Sequence, residues 1–127
     1  MTRSRTSTGR LLLGILGRFP RRSAVLKQWN ATLRGLRIDG SMDAYPCTQE
    51  TLPERLSEMV YFDRRGYCIP PSLQSAIAPL MDRLDASAMS SQRVDTVYND
   101  SGILIGFFTS GDDCRRREIW RLSQQSV

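Results

Sequence analysis

The sequence predicts an α+β fold in which a helical N-terminal half packs on a C-terminal antiparallel β-hairpin or three-stranded meander. Three observations lead there. Apolar residues recur at helical spacing from Leu12 to Leu84. From Val94 onward the period shifts to that of strands, with Asn99-Asp100-Ser101-Gly102 supplying a turn. A chain of 127 residues with 40% apolar and 24% charged residues has the composition of one modest globular core.

Taken in order, residues 1 to 9 lack apolar content and are expected to be mobile. On a helical wheel Leu12, Ile15, Leu16 and Phe19 gather on one side, with Arg10, Gly14, Gly17 and Arg18 largely opposite. This reads as an amphipathic surface helix ended by Pro20. Ser23 then caps a second helix with Val25, Leu26, Trp29, Leu33 and Leu36 on its apolar stripe. The Gly-, Ser- and Pro-containing segment 39 to 49 reads as a linker. Thr51-Leu-Pro-Glu54 has capping-box spacing and predicts a helix from Leu52 to about Phe62, with Leu52, Leu56, Met59 and Val60 inward. Pro70-Pro71-Ser72 opens a further helix through Leu84, kinked at Pro79. Val94 to Asn99 and Ile103 to Thr109 form the hairpin, through a type I turn with Gly102 in a bulge. Cys114 to Leu122 reads as a third strand, narrowly preferred to a short helix capped by Ser110.

Charge divides the chain. Residues 1 to 38 hold nine basic residues and no acid, which leaves nine basic residues against all 13 acids from Asp39 onward, or +9 against −4. Such segregation predicts two parts: residues 1–40 as a basic amphipathic arm and residues 41–127 as a small α+β interaction domain. The arm's expected contacts with an anionic surface are Arg10, Leu12, Ile15, Leu16, Arg18, Phe19, Arg21 and Arg22.

Little in the sequence carries chemistry. There is no histidine, so no Ser-His or Cys-His pair is available. Cys47, Cys68 and Cys114 are odd in number and without metal-ligand spacing, so neither a disulfide framework nor a zinc site is expected. Gly111-Asp112-Asp113 sets two acids side by side, as metal sites do, but the tripeptide is common in turns and reads as one. Gly14 and Gly17 fall in the amphipathic run, not in a strand-to-helix phosphate loop. Arg115, Arg116, Arg117 and Trp120 are candidate phosphate contacts, weighed against a charged strand edge. Ile103 to Phe108 is apolar on both faces of the pleat; the body helices cover one, and Leu104 and Phe108 are assigned to the other, partner-facing side.

The resulting expectation is a non-enzymatic accessory protein with no cofactor, metal or small-molecule substrate. Its arm attaches it to an anionic surface, a membrane before nucleic acid, while its body binds a protein partner or a second copy of itself. Two alternatives stand beside it: an organellar, mitochondrial accessory subunit with a removable transit peptide, and an RNA-binding accessory protein. No apolar run reaches the roughly 20 residues needed to span a bilayer. The odd cysteine count leads to the expectation of an intracellular reducing compartment, at the cytoplasmic face of a membrane or in mitochondria, and of a protein that is not secreted.

Overall fold

The structure is a computed structural model and describes residues 10–125; the segment expected to be mobile, residues 1 to 9, lies outside them. It is a doubly wound α/β fold, not the expected helical half on a hairpin. Six strands form one sheet in the order β2-β1-β3-β5-β6-β4. They are β1 (Leu11–Leu16), β2 (Gly40–Tyr45), β3 (Gly66–Cys68), β4 (Arg83–Leu84), β5 (Thr96–Asp100) and β6 (Ile103–Phe107). β1 runs parallel to β2 and β3, and β4 parallel to β6, while β5 is antiparallel to both its neighbours. Five strands therefore share one direction.

The largest departure from expectation is β1. Leu11-Leu-Leu-Gly-Ile-Leu16 is a strand one place in from the sheet edge, so both of its faces are covered. Leu11, Leu13 and Ile15 join Trp29 and Leu33 of α1 (Arg22–Gly35) on one side. Leu16 joins Leu52, Leu56 and Met59 of α2 (Leu52–Tyr61) on the other. A strand buried on both faces has no polar side and loses the period-2 signal, and six apolar residues then fit a helical wheel as easily as a pleat. The segment expected to be an arm is thus built into the sheet, and the boundary at residue 40 falls at the first residue of β2, inside the fold.

The two layers of helices follow from the order of connection. From β1 the chain crosses through α1 to the edge strand β2, then returns through α2 over the opposite face to β3. α3 (Gln74–Ile77), flanked by 3-10 turns at Pro71–Leu73 and Ala78–Leu80, and α4 (Ala86–Ser91) pack on the α2 face. Pro71 and Pro79 each fall in a 3-10 turn, which breaks the single helix predicted there into short pieces.

α5 (Asp113–Gln125) packs beside α1, where the sequence favoured a third strand. The Asp112 carboxylate accepts from the amides of Cys114 and Arg115 at 3.0 and 3.3 Å, so Asp112, not Ser110, caps it. Helical spacing puts Arg116, Ile119 and Trp120 inward together. The Trp120 indole donates to the Val97 carbonyl at 3.0 Å, and its ring lies 5.2 Å from that of Trp29.

Other readings stand closer to the structure. α2 begins at Leu52 after Thr51 as expected, although the Thr51 hydroxyl accepts from the Thr48 amide at 2.8 Å instead of closing a capping box. The β5–β6 hairpin forms, but with a two-residue turn in which Ser101 and Gly102 both have positive φ, at 52° and 97°. That is the mirror-image turn whose twist matches paired strands, in place of the type I turn with a bulge. At the opposite edge, the Asn30 amide of α1 accepts from the Met42 N–H and donates to the Met42 carbonyl, at 2.9 and 3.0 Å. It thereby satisfies outward-facing backbone groups of edge strand β2.

Gly66 sits directly under the Trp120 indole: a Cβ there would lie 2.3 Å from Nε1. Gly66→Ala is therefore expected to cost about 1–3 kcal/mol by pushing the indole off the sheet. Gly35→Ala, where nothing lies within 4 Å of the added carbon, is expected to stabilise by up to about 1 kcal/mol. Urea unfolding of the two variants checks the contrast, with near-UV circular dichroism reporting the displaced tryptophan.

Candidate active-site cleft

In a doubly wound sheet the crevice forms where successive connections depart to opposite faces, at the C-terminal ends of the strands. Here that point lies between β1 and β3. Gly17, with φ of 71°, turns the chain out of β1; Phe19 and Pro20 follow. Ile69 and Pro71 follow β3, and Phe108 to Gly111 follow β6. Because β5 runs the other way, its entrance, Arg93 to Asp95, arrives at the same end. These segments enclose an open cleft of about 490 Å³, lined also by Gln74 and Arg116.

The cleft is organised by a buried carboxylate. Asp95 is 1% exposed, and burying a charge is costly unless it is paired and fully hydrogen-bonded. Its Oδ1 accepts from the Thr109 amide at 2.8 Å and from the Thr96 hydroxyl at 3.0 Å. Its Oδ2 accepts from the Thr109 hydroxyl and the Gly111 amide, each at 3.0 Å, and lies 3.5 Å from Arg116 Nη2. Gly111 takes φ of 81° in this turn, a backbone state suited to glycine.

Arg116 completes the pair from α5. Its Nε donates to the Thr96 hydroxyl at 2.9 Å and its Nη1 to Asp113 at 2.8 Å. Burial alone would depress the Arg116 pKa, but the facing Cys68, Asp113 and Asp95 outweigh it and raise it. The Cys68 thiol, fully buried beside this group, is pushed up to about 12, chiefly by burial.

A second, more exposed set forms the opposite wall. The Arg93 guanidinium lies 4.7 Å over the Phe108 ring, and its Nε and Nη2 donate to Gln74 Oε1 at 3.2 and 2.8 Å. Gln74 is itself buried and donates to the Ile69 carbonyl at 3.1 Å. The Phe108 amide donates to the Ser87 hydroxyl at 3.0 Å. Ser87 in turn donates to Asp85 at 2.6 Å, a bond that holds the Asp85 carboxyl below its ordinary pKa.

The structure scatters most of the residues singled out from sequence. Of the supposed surface contacts, Ile15 and Leu16 are wholly buried and Leu12 is half-buried, so the apolar face meant for a membrane is core. Arg10, Arg18, Arg21 and Arg22 are exposed, and Phe19 reaches the cleft. Among the described residues no helix is long and apolar enough to cross a membrane. The candidate phosphate contacts point in different directions. Arg116 and Trp120 are buried, Arg115 is exposed and pairs with Glu118 at 3.7 Å, and Arg117 donates to Cys114 Sγ at 3.1 Å. Leu104 lies in the core on the α2 face, whereas Phe108 lines the cleft.

Asp95, Gln74, Arg93, Thr96 and Thr109 were passed over in the sequence. The available signal was a carboxylate inside the apolar run that opens β5, since an acid there must be either an interruption or a buried functional pair.

No protein-family model matches the sequence, and no curated protein matches it either. Solved structures do. Shikimate 5-dehydrogenase from Listeria monocytogenes, solved in complex with shikimate and NAD, is 24% identical, with a TM-score of 0.74 over 90% of this chain and 39% of that one. The fold is that of shikimate dehydrogenases. The enzyme from Thermus thermophilus, in complex with shikimate, is 29% identical, with a TM-score of 0.70 over 76% of this chain and 37% of that one. The ligand-free 5-ketofructose reductase of a Gluconobacter species, 18% identical, has a TM-score of 0.74 over 80% of this chain and 37% of that one. The chain thus spans about two-fifths of the length of the structures it matches.

This likeness overturns the expectation of a non-enzymatic, membrane-associated accessory protein that has no small-molecule substrate and binds through an arm and a partner face. The fold is one that dehydrogenases and reductases use, two of them solved with a bound small molecule. Gly17 does stand at a strand-to-helix turn, contrary to the reading from sequence, yet the turn does not suit a dinucleotide. Arg18, Phe19, Pro20 and Arg21 follow it, whereas a pyrophosphate needs further glycines for close backbone approach.

Two outcomes follow from the buried pair. Arg116→Met removes the cation beside Asp95 and is expected to destabilise the fold by about 3–5 kcal/mol, measured by chemical denaturation. In a native thiol titration at pH 8, exposed Cys114 should react first, and Cys47, whose pKa is raised chiefly by burial, more slowly. Cys68 should react only after unfolding. Because its folded pKa of about 12 lies above the ordinary 9.0, the folded state holds the proton more tightly. The stability this contributes is present below pH 9 and is lost as pH rises toward 12.

Proposed function

We propose that this chain is the small-molecule-binding α/β unit of an oxidoreductase resembling the shikimate dehydrogenases, and that a small hydroxylated organic acid occupies the cleft between β1 and β3. The observation that carries the reading is the position of that cleft. It lies at the switch point of the sheet, where α/β enzymes take their ligands. Its volume of about 490 Å³ falls in the range of small-molecule sites. Apolar walls from Phe19, Ile69, Pro71 and Phe108 combine with a few polar groups from Gln74, Arg93 and Ser110, the mixture that orients such ligands.

The residues of this chain bind and orient. Asp95 spends its hydrogen bonds on Thr96 and the β6–α5 loop, and Arg116 bonds Thr96 of β5 and Asp113 of α5, so that together they fix the cleft's shape. The β1–α1 turn does not suit a dinucleotide, so on this reading the cleft takes the organic acid and not the nicotinamide cofactor.

Calorimetric titration of the full chain with shikimate, NAD and NADP tests the proposal. Shikimate should bind and raise the melting temperature, while the two nucleotides leave it unchanged. Pro71→Trp, which fills the cleft from an exposed position, should abolish shikimate binding with little change in the melt of the free protein. Binding of NAD or NADP that Pro71→Trp removes would show that the cleft is a nucleotide site.

A further inference from the structure

We infer that Arg93 is the specificity-determining residue of the cleft, recognising a carboxylate on the bound molecule. The inference rests on the reading of the cleft as an organic-acid site and adds which residue reads the acid group. An exposed arginine ordinarily ranges over many rotamers. This one is fixed, although no carboxylate among the described residues lies within ion-pair distance of it. The guanidinium carbon lies 4.7 Å over the Phe108 ring centroid, and Gln74 Oε1 accepts two of its N–H groups. Gln74 is buried and anchored to the Ile69 carbonyl, so it positions the guanidinium instead of moving with it.

The charge balance of the cleft points the same way. Its other cation, Arg116, faces two carboxylates, Asp95 and Asp113. Arg93 is left with a full positive charge and with Nη1 unbonded among the described residues. A guanidinium covered by a ring on one side and hydrogen-bonded to a buried amide is weakly hydrated there, and its immobilisation entropy is spent before a ligand arrives. It is therefore preorganised for a planar, delocalised anion, which it can meet edge to edge. Arg18 and Arg21, exposed on the β1–α1 turn beside Phe19 and Pro20, and Arg22 at the start of α1 add positive potential at the mouth.

The competing role is a staple that ties the entrance of β5 to α3. Titration of the full chain with shikimate and with its methyl ester separates the two, using Arg93→Gln, Arg93→Lys and, as a surface control, Arg34→Gln. The expected result is that Arg93→Gln weakens shikimate binding by about tenfold or more and flattens its salt dependence. Binding of the ester should be unchanged, Arg93→Lys should retain part of the affinity, and Arg34→Gln all of it. Equal weakening of acid and ester by Arg93→Gln would make the residue a staple and overturn the inference. Equal binding of acid and ester by the unaltered chain would also overturn it, while the cleft reading survives. Binding of neither would remove the cleft reading and this inference together.

Discussion

The fold closes around a buried carboxylate. Asp95 enters the interior because β5 must run through the middle of the sheet, and every acceptor site on it must then be met by the protein. Meeting that demand brings in the two threonines, the Gly111 amide and Arg116. The β6–α5 loop has little choice of path once its Thr109 and Gly111 amides point at Asp95. α5 has little choice of rotation once Arg116 must reach inward. The same rotation lays Trp120 against Gly66 and brings it to Trp29, so the packing of the α1 and α5 layer is coupled to the electrostatics of the cleft.

Sequence reasoning succeeded where one face of an element meets solvent. α2 was legible because Leu52, Leu56 and Met59 face the core while Pro53, Glu54, Ser57 and Glu58 are exposed, so helical period and burial agree. The β5–β6 hairpin was legible from Ser101-Gly102 between two apolar runs, although its turn type depends on the twist of the strands and not on composition. β1 failed because an interior parallel strand has no polar face to give it a period. α5 failed for the opposite reason. Its mean composition is polar, and its run Arg115-Arg116-Arg117 read as a charged edge, while only tertiary structure shows that Arg116 is inside and Arg115 outside.

The cleft was hidden by the same limitation. Its groups come from five separated segments, and none carries a local motif. Histidine pairs, cysteine spacings and glycine-rich loops play no part in a site made of one aspartate, two arginines, a glutamine and two phenylalanines. The segregated charge was a true observation given the wrong geometry. Among the described residues, Arg18, Arg21, Arg22, Lys27, Arg34 and Arg37 are exposed on α1 and its flanking turns, while Leu11, Leu13, Ile15 and Leu16 are withdrawn into the sheet.

Asn30 adds a consequence of a different kind. A sheet that ends in a six-residue strand offers its last row of peptide groups as a template on which foreign chains can grow. At the middle of β2 that row is already occupied, since one side chain amide takes both the N–H and the C=O of Met42. An incoming strand would first have to evict a ligand that the protein supplies to itself at high effective concentration. The chain thus carries a built-in competitor against fibrillar growth, made from an ordinary helix residue and costing no charge.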